Sequence, residues 1–281
     1  IIMDFDDPHR PFYKSEAENS REKYREVKER MSKPCKVFSP DEVTVPGFLP
    51  DLPDIRKEMA EYYSSVRRCD DGVGAVLEAV KAAGQEENTI VVFMSDHGIS
   101  MPYAKLNCYQ ASLRVPLIFR YPGKIEKGSR NDKDIVSAVD LTPTLLDLIG
   151  LEVPGYMAGR SFKPLLEGKE QDERNYTIGY YYRNLRQDNM FPEFTVQMRD
   201  WVYIYNPWVI EEKEVHNSDY THSLTLAAIW EAAVTNRAIK ERSEFHKYRT
   251  MEELYNVRQD PHSYINLAYD VGYAERVKQI V

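Results

Sequence analysis

The chain has 281 residues, and 37 Lys and Arg against 45 Asp and Glu give it a formal net charge of −8. This acidic balance argues against a nucleic-acid-binding protein, which would carry a basic face to contact phosphates. Hydrophobic residues make up 42% of the chain and charged residues 29%, a composition typical of a folded protein with a sizeable core. No apolar run approaches the roughly 18 residues of a membrane-spanning helix.

The first 50 residues predict little regular structure. The apolar opening Ile1–Phe5 reads as the interior of a strand, and Asp7-Pro8 predicts its end. Native termini are usually polar, so we expect the chain to be a fragment or a mature piece of a longer protein. The charged residues 15–30 indicate a helix or an exposed excursion, and the prolines between 34 and 53 indicate an extended surface connection.

A long helix and two buried strands follow. Apolar residues recur every three or four positions over Ile55–Ala83, with Asp54 as a candidate N-cap and Gly84 at the expected stop. Thr89–Met94 and Val115–Phe119 are unbroken β-branched or aromatic runs. Such runs are typical of parallel strands that are covered on both faces.

A second helix is predicted over Val139–Ile149, with Pro143 in its first turn and Gly150 after its end. Helices that alternate with buried strands are typical of α/β proteins. The first part of the chain is therefore predicted to be an α/β layer with a mostly parallel sheet.

From Asn175 onward the sequence is rich in Tyr and Val and partly alternating, as antiparallel strands are. The predicted strands are Thr177–Arg183, Phe194–Tyr205 and Glu253–Val257, and the predicted helices are Ser223–Thr235 and Ala274–Val281. This change of character predicts a boundary near residue 170, with domains at 1–170 and 171–281.

Candidate chemistry lies directly after the first buried strand, at Ser95-Asp96-His97-Gly98. In open α/β sheets, ligands bind beyond the carboxyl ends of the strands. A carboxylate and an imidazole at that position, followed by glycine, form a plausible metal site. The alternative is that Asp96 only caps a following helix.

Further motifs accompany this one in a fixed order along nearly the whole chain. They are Asp7–Phe12, Tyr62–Gly74, Lys105, Arg114–Ile118, Tyr121–Gly123, Asp140–Leu146, Gly159–Phe162, Glu253–Asn256, Asp260-Pro261 and Asn266–Ala268. The ordered series resembles the sulfatase family. The resemblance implies an alkaline-phosphatase-like α/β sandwich with a covered, mostly parallel sheet, plus a smaller C-terminal α+β subdomain with an antiparallel sheet.

The step from Asp96 to Lys105 is short, and in this the chain resembles the sulfamidase (heparan N-sulfatase) branch of the family. That branch implies removal of sulfate from a sulfated amino sugar of a glycosaminoglycan such as heparan sulfate. It also implies export to a periplasmic, secreted or lysosomal location, and a sulfated carbohydrate as the partner.

The resemblance assigns roles to individual residues. Asp96 and His97 would ligate one calcium ion, His9 and Lys105 would be catalytic, and Lys105, Tyr103 and Asn107 would bind substrate. We expect Asp96, Lys105 and His9 to converge on one pocket for a cation and an oxyanion. The alternatives are a structural histidine at His9, a solvated lysine at Lys105, and packing roles for Tyr103 and Asn107.

The family's nucleophile is not found in this sequence. Sulfatases use formylglycine made from a C/S-x-P-x-R motif, and the nearest string, Ser32–Lys36, has Lys where the family has Arg and lies after His9. We interpret it as a coincidence and expect formylglycine in an N-terminal part outside this chain. The 281 residues alone are therefore predicted to be inactive and to bind calcium weakly.

Two other hypotheses stay open. A two-metal phosphoesterase of the alkaline-phosphatase superfamily shares the Asp-His corner but needs further His or Asp ligands after His97. A non-catalytic fragment that binds anionic sugar needs no nucleophile.

Overall fold

The computed structural model describes residues 1–20, 31–182, 191–210 and 222–280. The chain forms two compact units that interleave along the sequence. Unit 1 comprises Ile1–Gly84, Ile99–Lys105 and Glu212–Arg249, and unit 2 comprises Gln85–Gly98, Leu106–Glu211 and Thr250–Val281. The predicted domains 1–170 and 171–281 stay a prediction.

The α-helices range in length from four to 30 residues, and the strands are all short. The helices are α1 (Glu16–Ser20), α2 (Pro53–Ala82), α3 (Gln110–Leu113), α4 (Leu141–Leu148), α5 (Lys163–Leu166), α6 (Leu224–Ala233), α7 (Arg237–Tyr248) and α8 (Ala274–Ile280). The strands are β1 (Val91–Met94), β2 (Leu117–Arg120), β3 (Tyr176–Tyr181), β4 (Glu193–Met198), β5 (Trp201–Tyr205) and β6 (Glu252–Asn256). Short 3₁₀ turns lie at Pro40–Glu42, Glu86–Asn88, Ala138–Asp140 and Val271–Tyr273.

Helix α2 is the longest element of unit 1, and it confirms the helix predicted there. Its N-cap is Leu52 rather than Asp54, which lies in the first turn, and Gly84 follows its end at φ +66°. The buried residues of the helix lie between Ile55 and Arg68, and they include Glu58 and Arg68 as well as apolar residues. Buried charges require partners, and these partners lie in the N-terminal segment.

In unit 2, β1 and β2 pair antiparallel, with Val91 opposite Arg120 and Met94 opposite Leu117. The prediction that these strands are parallel and covered on both faces was wrong, since they run antiparallel and Phe93 and Ile118 are exposed. A parallel pair needs a crossover that is usually a substantial helix, whereas the residues between β1 and β2 contain only the four-residue α3.

The other sheet of unit 2 is antiparallel, as predicted, in the order β3-β4-β5-β6. The predicted strand Phe194–Tyr205 is two strands, β4 and β5, which are joined by a tight turn and pair with each other. Arg183, the predicted end of a strand, and Val281, the predicted end of the last helix, lie outside the described residues.

The fold is therefore mixed α/β, but each of its sheets among the described residues is antiparallel. The opening residues Ile1–Phe5 do not join a strand, which corrects the expectation for that segment. No described helix combines the length and the apolar composition needed to cross a membrane.

Candidate functional site

His9 and Lys105 lie side by side in unit 1. The His9 Nε2 atom is 3.4 Å from the Lys105 Nζ atom, although 96 residues separate them in sequence. The Lys105 residue is 5% exposed, while His9 is exposed. When the Lys105 ammonium donates to Nε2, the imidazole proton lies on Nδ1, which is 2.6 Å from the Arg10 carbonyl oxygen. The structure thus brings together the two residues predicted to be catalytic.

Two ion pairs with helix α2 flank His9 in sequence. Arg68 donates from Nε and Nη2 to the two carboxylate oxygens of Asp7, at 2.5 and 2.8 Å. Arg10 donates from Nη1 to Glu58 at 2.5 Å. Because both pairs involve side chains that are mostly buried, they hold the His9 segment firmly on the helix.

The loop before Lys105 is fixed by helix α7. Tyr103 has a left-handed backbone with φ +67°, and its hydroxyl donates to the Arg242 carbonyl oxygen at 2.7 Å. Its ring centroid is 4.1 Å from the Arg242 guanidinium carbon and 4.4 Å from the centroid of the His246 ring. Burial, and secondarily the charges of Arg249 and Arg242, lower the pKa of His246 to about 3.

These contacts bear on the predicted substrate role of Tyr103. Its phenol group already donates to a backbone carbonyl, and the residue is 4% exposed. The structure therefore gives Tyr103 a packing role in the loop that carries Lys105. Contact between Tyr103 and a substrate stays a prediction.

Asn107 lies in unit 2 and is 2% exposed. Its side-chain oxygen accepts from the Tyr109 amide at 3.1 Å. The next residue, Cys108, donates its amide to the buried Glu193 carboxylate at 2.9 Å, and the Tyr109 hydroxyl donates to Glu253 at 3.0 Å. These two buried carboxylates attach residues 107–109 to the four-stranded sheet, and substrate contact by Asn107 stays a prediction.

Asp96 and His97 follow β1 in unit 2, as the sequence predicts. The Asp96 side chain is 83% exposed and that of His97 37%, and His97 Nε2 is 3.3 Å from Asp96 Oδ2. The His97 amide also donates to Asp96 Oδ1 at 2.9 Å, and His97 Nδ1 is 2.8 Å from the Gly98 carbonyl oxygen. The two side chains therefore interact mainly with each other and with nearby backbone.

This donor set does not amount to a calcium site. Calcium takes six to eight oxygen ligands, whereas these two residues offer one carboxylate and one imidazole. Within residues 1–20, 31–182, 191–210 and 222–280, no group of three or more His, Cys, Asp and Glu side chains is arranged to hold a metal ion. Asp96 and His97 lie in a different unit from His9 and Lys105, and their convergence on one pocket stays a prediction.

Sequence reasoning missed Arg10 and Glu58, which form an ion pair beside the segment that carries His9. Arg10 stands beside His9 in the motif Asp7–Phe12, so its position could have drawn attention to it. Glu58 carries no local signal, because it is one of several acidic residues on a helix and its partner lies 48 residues away. The polar stretch that contains His216 and His222 predicts surface or substrate-rim residues; His216 lies outside the described residues, and His222 is exposed.

Comparisons with known proteins agree with the motif series. The family model described as Sulfatase matches residues 1–151, and the one described as N-sulphoglucosamine sulphohydrolase, C-terminal, matches residues 97–225. The chain is 28% identical over 265 residues to the human N-sulphoglucosamine sulphohydrolase, covering 86% of this chain and 50% of that protein. The chain thus spans about half the length of this relative.

Solved structures show the same fold. One, from work on the metabolism of multiple glycosaminoglycans by Bacteroides thetaiotaomicron, matches 98% of this chain and 50% of its own with a TM-score of 0.63 at 23% identity. The phosphonate monoester hydrolase of Agrobacterium radiobacter matches 81% of this chain and 42% of its own with a TM-score of 0.57 at 21% identity. At these identities the likeness concerns the fold alone.

Proposed function

Because the chain belongs to the sulfatase family, we propose that it forms the C-terminal part of a hydrolase that removes sulfate from a sulfated amino sugar. The proposed substrate class is a glycosaminoglycan such as heparan sulfate. The human relative that matches 86% of this chain is named for hydrolysis of N-sulphoglucosamine, and a sulfamidase C-terminal family model covers residues 97–225. Since such glycans are extracellular, we place the protein in an exported compartment.

The pairing of His9 with Lys105 carries the proposal. A buried ammonium group attracts an anion more strongly than an exposed one, because the surrounding dielectric is low. Lys105 would bind a sulfate oxygen and offset the charge that develops on the transferred group. His9, whose Nε2 lies 3.4 Å from Lys105 Nζ, would act in its doubly protonated form: it would donate the Nε2 proton to the departing sugar nitrogen or oxygen and return to the neutral ring protonated on Nδ1.

The rest of the reaction centre is assigned to residues outside this sequence. Asp96 and His97 are the part of the calcium ligand set that we propose for this chain. The remaining oxygen ligands and the formylglycine nucleophile would come from an N-terminal part. A chain limited to these 281 residues should accordingly be inactive.

The assay that tests this function measures sulfate release from N-sulfated glucosamine by the full-length protein. We expect turnover from the full-length protein and none from the 281-residue chain. In the full-length protein, Lys105→Met should lower kcat by about 100- to 1,000-fold, the usual effect of removing one oxyanion-binding donor. Lys240→Met, an exposed lysine of α7, is the matched control and should leave kcat unchanged.

Three results would contradict the proposed function or the roles assigned within it. Full activity from the 281-residue chain would contradict the assigned division of the site, and equal kcat in Lys105→Met and Lys240→Met would contradict the role of Lys105. Two zinc or manganese ions in the full-length protein, with phosphate ester hydrolysis and no sulfate release, would favour the two-metal phosphoesterase instead. The phosphonate hydrolase likeness does not separate the two functions, because it concerns fold alone.

A further inference from the structure

We propose that Arg10 is a positioning residue that orients the His9 imidazole and holds it against Lys105. The proposal rests on the proposed function for its catalytic consequence. The orientation of the His9 ring is a property of the fold and can be measured without turnover.

Arg10 acts on His9 through its backbone. The Arg10 carbonyl oxygen lies 2.6 Å from His9 Nδ1 and accepts the proton of that nitrogen. A hydrogen bond at Nδ1 leaves Nε2 as the free nitrogen of the neutral ring, and Nε2 is the atom that faces Lys105. The position of this one carbonyl therefore determines which ring nitrogen meets the reacting group.

The Arg10 side chain fixes that carbonyl in place. Its guanidinium donates from Nη1 to Glu58 at 2.5 Å and from Nε to the Ser100 carbonyl oxygen at 3.0 Å. Its guanidinium carbon also lies 4.3 Å from the centroid of the Phe12 ring. The side chain is 17% exposed, and two of the residues it contacts, Glu58 and Ser100, belong to segments other than the one that carries Arg10.

The same guanidinium connects the two segments that carry the candidate pair. Ser100 belongs to the loop 99–105 that ends at Lys105, whereas Arg10 follows His9 directly. Glu58 anchors this connection, because it is 3% exposed and its second carboxylate oxygen accepts from the Thr225 amide at the start of α6 at 2.9 Å. We call Arg10, Glu58 and Ser100 the Arg10 clamp.

The geometry of the Arg10 clamp requires a guanidinium. Arginine offers donors in a rigid planar fork and can serve a carboxylate and a carbonyl at once, whereas a lysine ammonium is a point charge on a flexible stem. Lysine at this position would keep the charge near Glu58 but lose the fixed bond to Ser100. Methionine would lose both and leave the Glu58 carboxylate buried without its cation.

Arg174 is a matched control for the possibility that Arg10 only stabilises the fold. Arg174 donates from Nη1 to Asp140 at 2.5 Å, with side chains 6% and 8% exposed, and this pair lies in unit 2, whereas His9 and Lys105 lie in unit 1. Arg174→Met removes a buried guanidinium from a carboxylate, as Arg10→Met does. Loss of stability alone should affect the two variants alike.

The catalytic test compares kcat and KM of the full-length wild type, Arg10→Lys, Arg10→Met and Arg174→Met with N-sulfated glucosamine, below the melting temperature of each. Misplacement of a catalytic group by about 1 Å costs about 100-fold in rate. We expect Arg10→Met to lower kcat by about that factor with little change in KM, Arg10→Lys to be intermediate, and Arg174→Met to keep its kcat. A kcat loss in Arg10→Met no larger than that in Arg174→Met would overturn the proposal.

A second measurement does not depend on turnover. Imidazole ¹⁵N shifts of His9 in the full-length protein should report the Nδ1–H form in the wild type and in Arg174→Met, and a mixture of tautomers in Arg10→Met. An unchanged tautomer in Arg10→Met would overturn the positioning role. If the wild type releases no sulfate, the proposed function fails, and the tautomer measurement still decides the role of Arg10.

Discussion

Two buried arginine–carboxylate pairs serve different ends in the two units. In unit 1, Arg10 and Glu58 connect the segments that carry His9 and Lys105. Arg174 and Asp140 form their pair in unit 2, which contains neither His9 nor Lys105. The distances and the burial of the two pairs are similar, so the ion pair itself does not distinguish a site from a structural contact.

The carboxylates of Asp140 and Glu58 differ in their other hydrogen-bond partners. Asp140 accepts from the Ser137 amide at 3.0 Å, from the Arg160 amide at 2.7 Å and from Arg174 at 2.5 Å. The Thr144 hydroxyl donates to the Asp140 carbonyl oxygen at 2.7 Å. We call Ser137, Asp140, Thr144, Arg160 and Arg174 the Asp140 cluster. It contains residues of two motifs of the sulfatase resemblance and lies at the start of helix α4.

The largest loss of stability at the Asp140 cluster is expected when Gly159→Ala adds a methyl group. A Cβ atom there would overlap the Val139 carbonyl oxygen and lie 2.9 Å from the Asp140 amide nitrogen. Because backbone atoms cannot yield as a flexible side chain does, Gly159→Ala should lower the free energy of unfolding by about 4 kcal/mol or more. Chemical denaturation of purified protein measures the loss, and failure to obtain folded protein agrees with it.

Gly155→Ala is the control for this prediction, since a Cβ atom at Gly155 meets nothing within 4 Å. It should change stability little. If Gly159→Ala were as stable as Gly155→Ala, the two motif segments would not pack as described, and the structural account of the Asp140 cluster would be wrong.

Removal of the negative charge of Asp140 should cause the next largest loss of stability. Asp140→Asn keeps the shape but can turn an amide N–H toward the Arg174 guanidinium, which leaves a buried cation without its anion. Breaking a buried pair in this way should cost about 3 kcal/mol. Thermal denaturation should show the loss, whereas Glu173→Gln, whose side chain is 88% exposed, should match the wild type. Equal melting temperatures for the two variants would contradict the buried ion pair.

Asp140→Asn and the variants of the Arg10 clamp should differ in whether kcat changes along with stability. Asp140→Asn should reduce stability and leave kcat intact, while variants of the Arg10 clamp should reduce kcat beyond their effect on stability. Reduced kcat in folded Asp140→Asn, matching that of Arg10→Met, would mean that both clusters act only through stability.

The helices and strands that follow from a pattern of neighbouring residues were predicted best from the sequence. The helix predicted at Ile55–Ala83 is α2 at Pro53–Ala82, because a three-to-four residue periodicity extends over its whole length. The predicted strand Glu253–Val257 is β6 at Glu252–Asn256. The predicted direction of the β1–β2 pair was wrong, because unbroken apolar runs do not encode which way a partner strand runs. The burial inferred from the same runs was also wrong, since Phe93 and Ile118 are exposed.

Some residues of the candidate site were predicted from the sequence and others were not. His9 and Lys105 were predicted from the family resemblance, and the structure places them together. Glu58 and Arg68 were not predicted, because a charged residue on a helix is usually exposed and their partners lie 48 and 61 residues away in the chain. The same limit applies to Glu193, which binds the Cys108 amide across 85 residues.

The smallest predicted effect is a pH-dependent one beside the Arg10 clamp. Burial, reinforced by the nearby carboxylate of Glu58, raises the pKa of Glu61 from 4.5 to about 7, against the opposing charges of Lys57 and Arg10. The folded state therefore binds the Glu61 proton more tightly than the unfolded state does. Its contribution to stability is fully present below pH 4.5 and is lost as the pH rises toward 7.

Glu61→Gln removes this dependence, because the amide cannot ionise. The variant should resemble the wild type near pH 4.5 and exceed it in stability above pH 7 by up to about 1 kcal/mol, once screening by solvent is allowed for. Melting temperatures at pH 5 and pH 8 measure the difference, with Glu78→Gln, an exposed position on α2, as the control. Because Glu61 lies in unit 1, this stabilisation at high pH should belong to that unit. A gain of the same size in Glu78→Gln would show that it reflects only the acidic net charge of the chain.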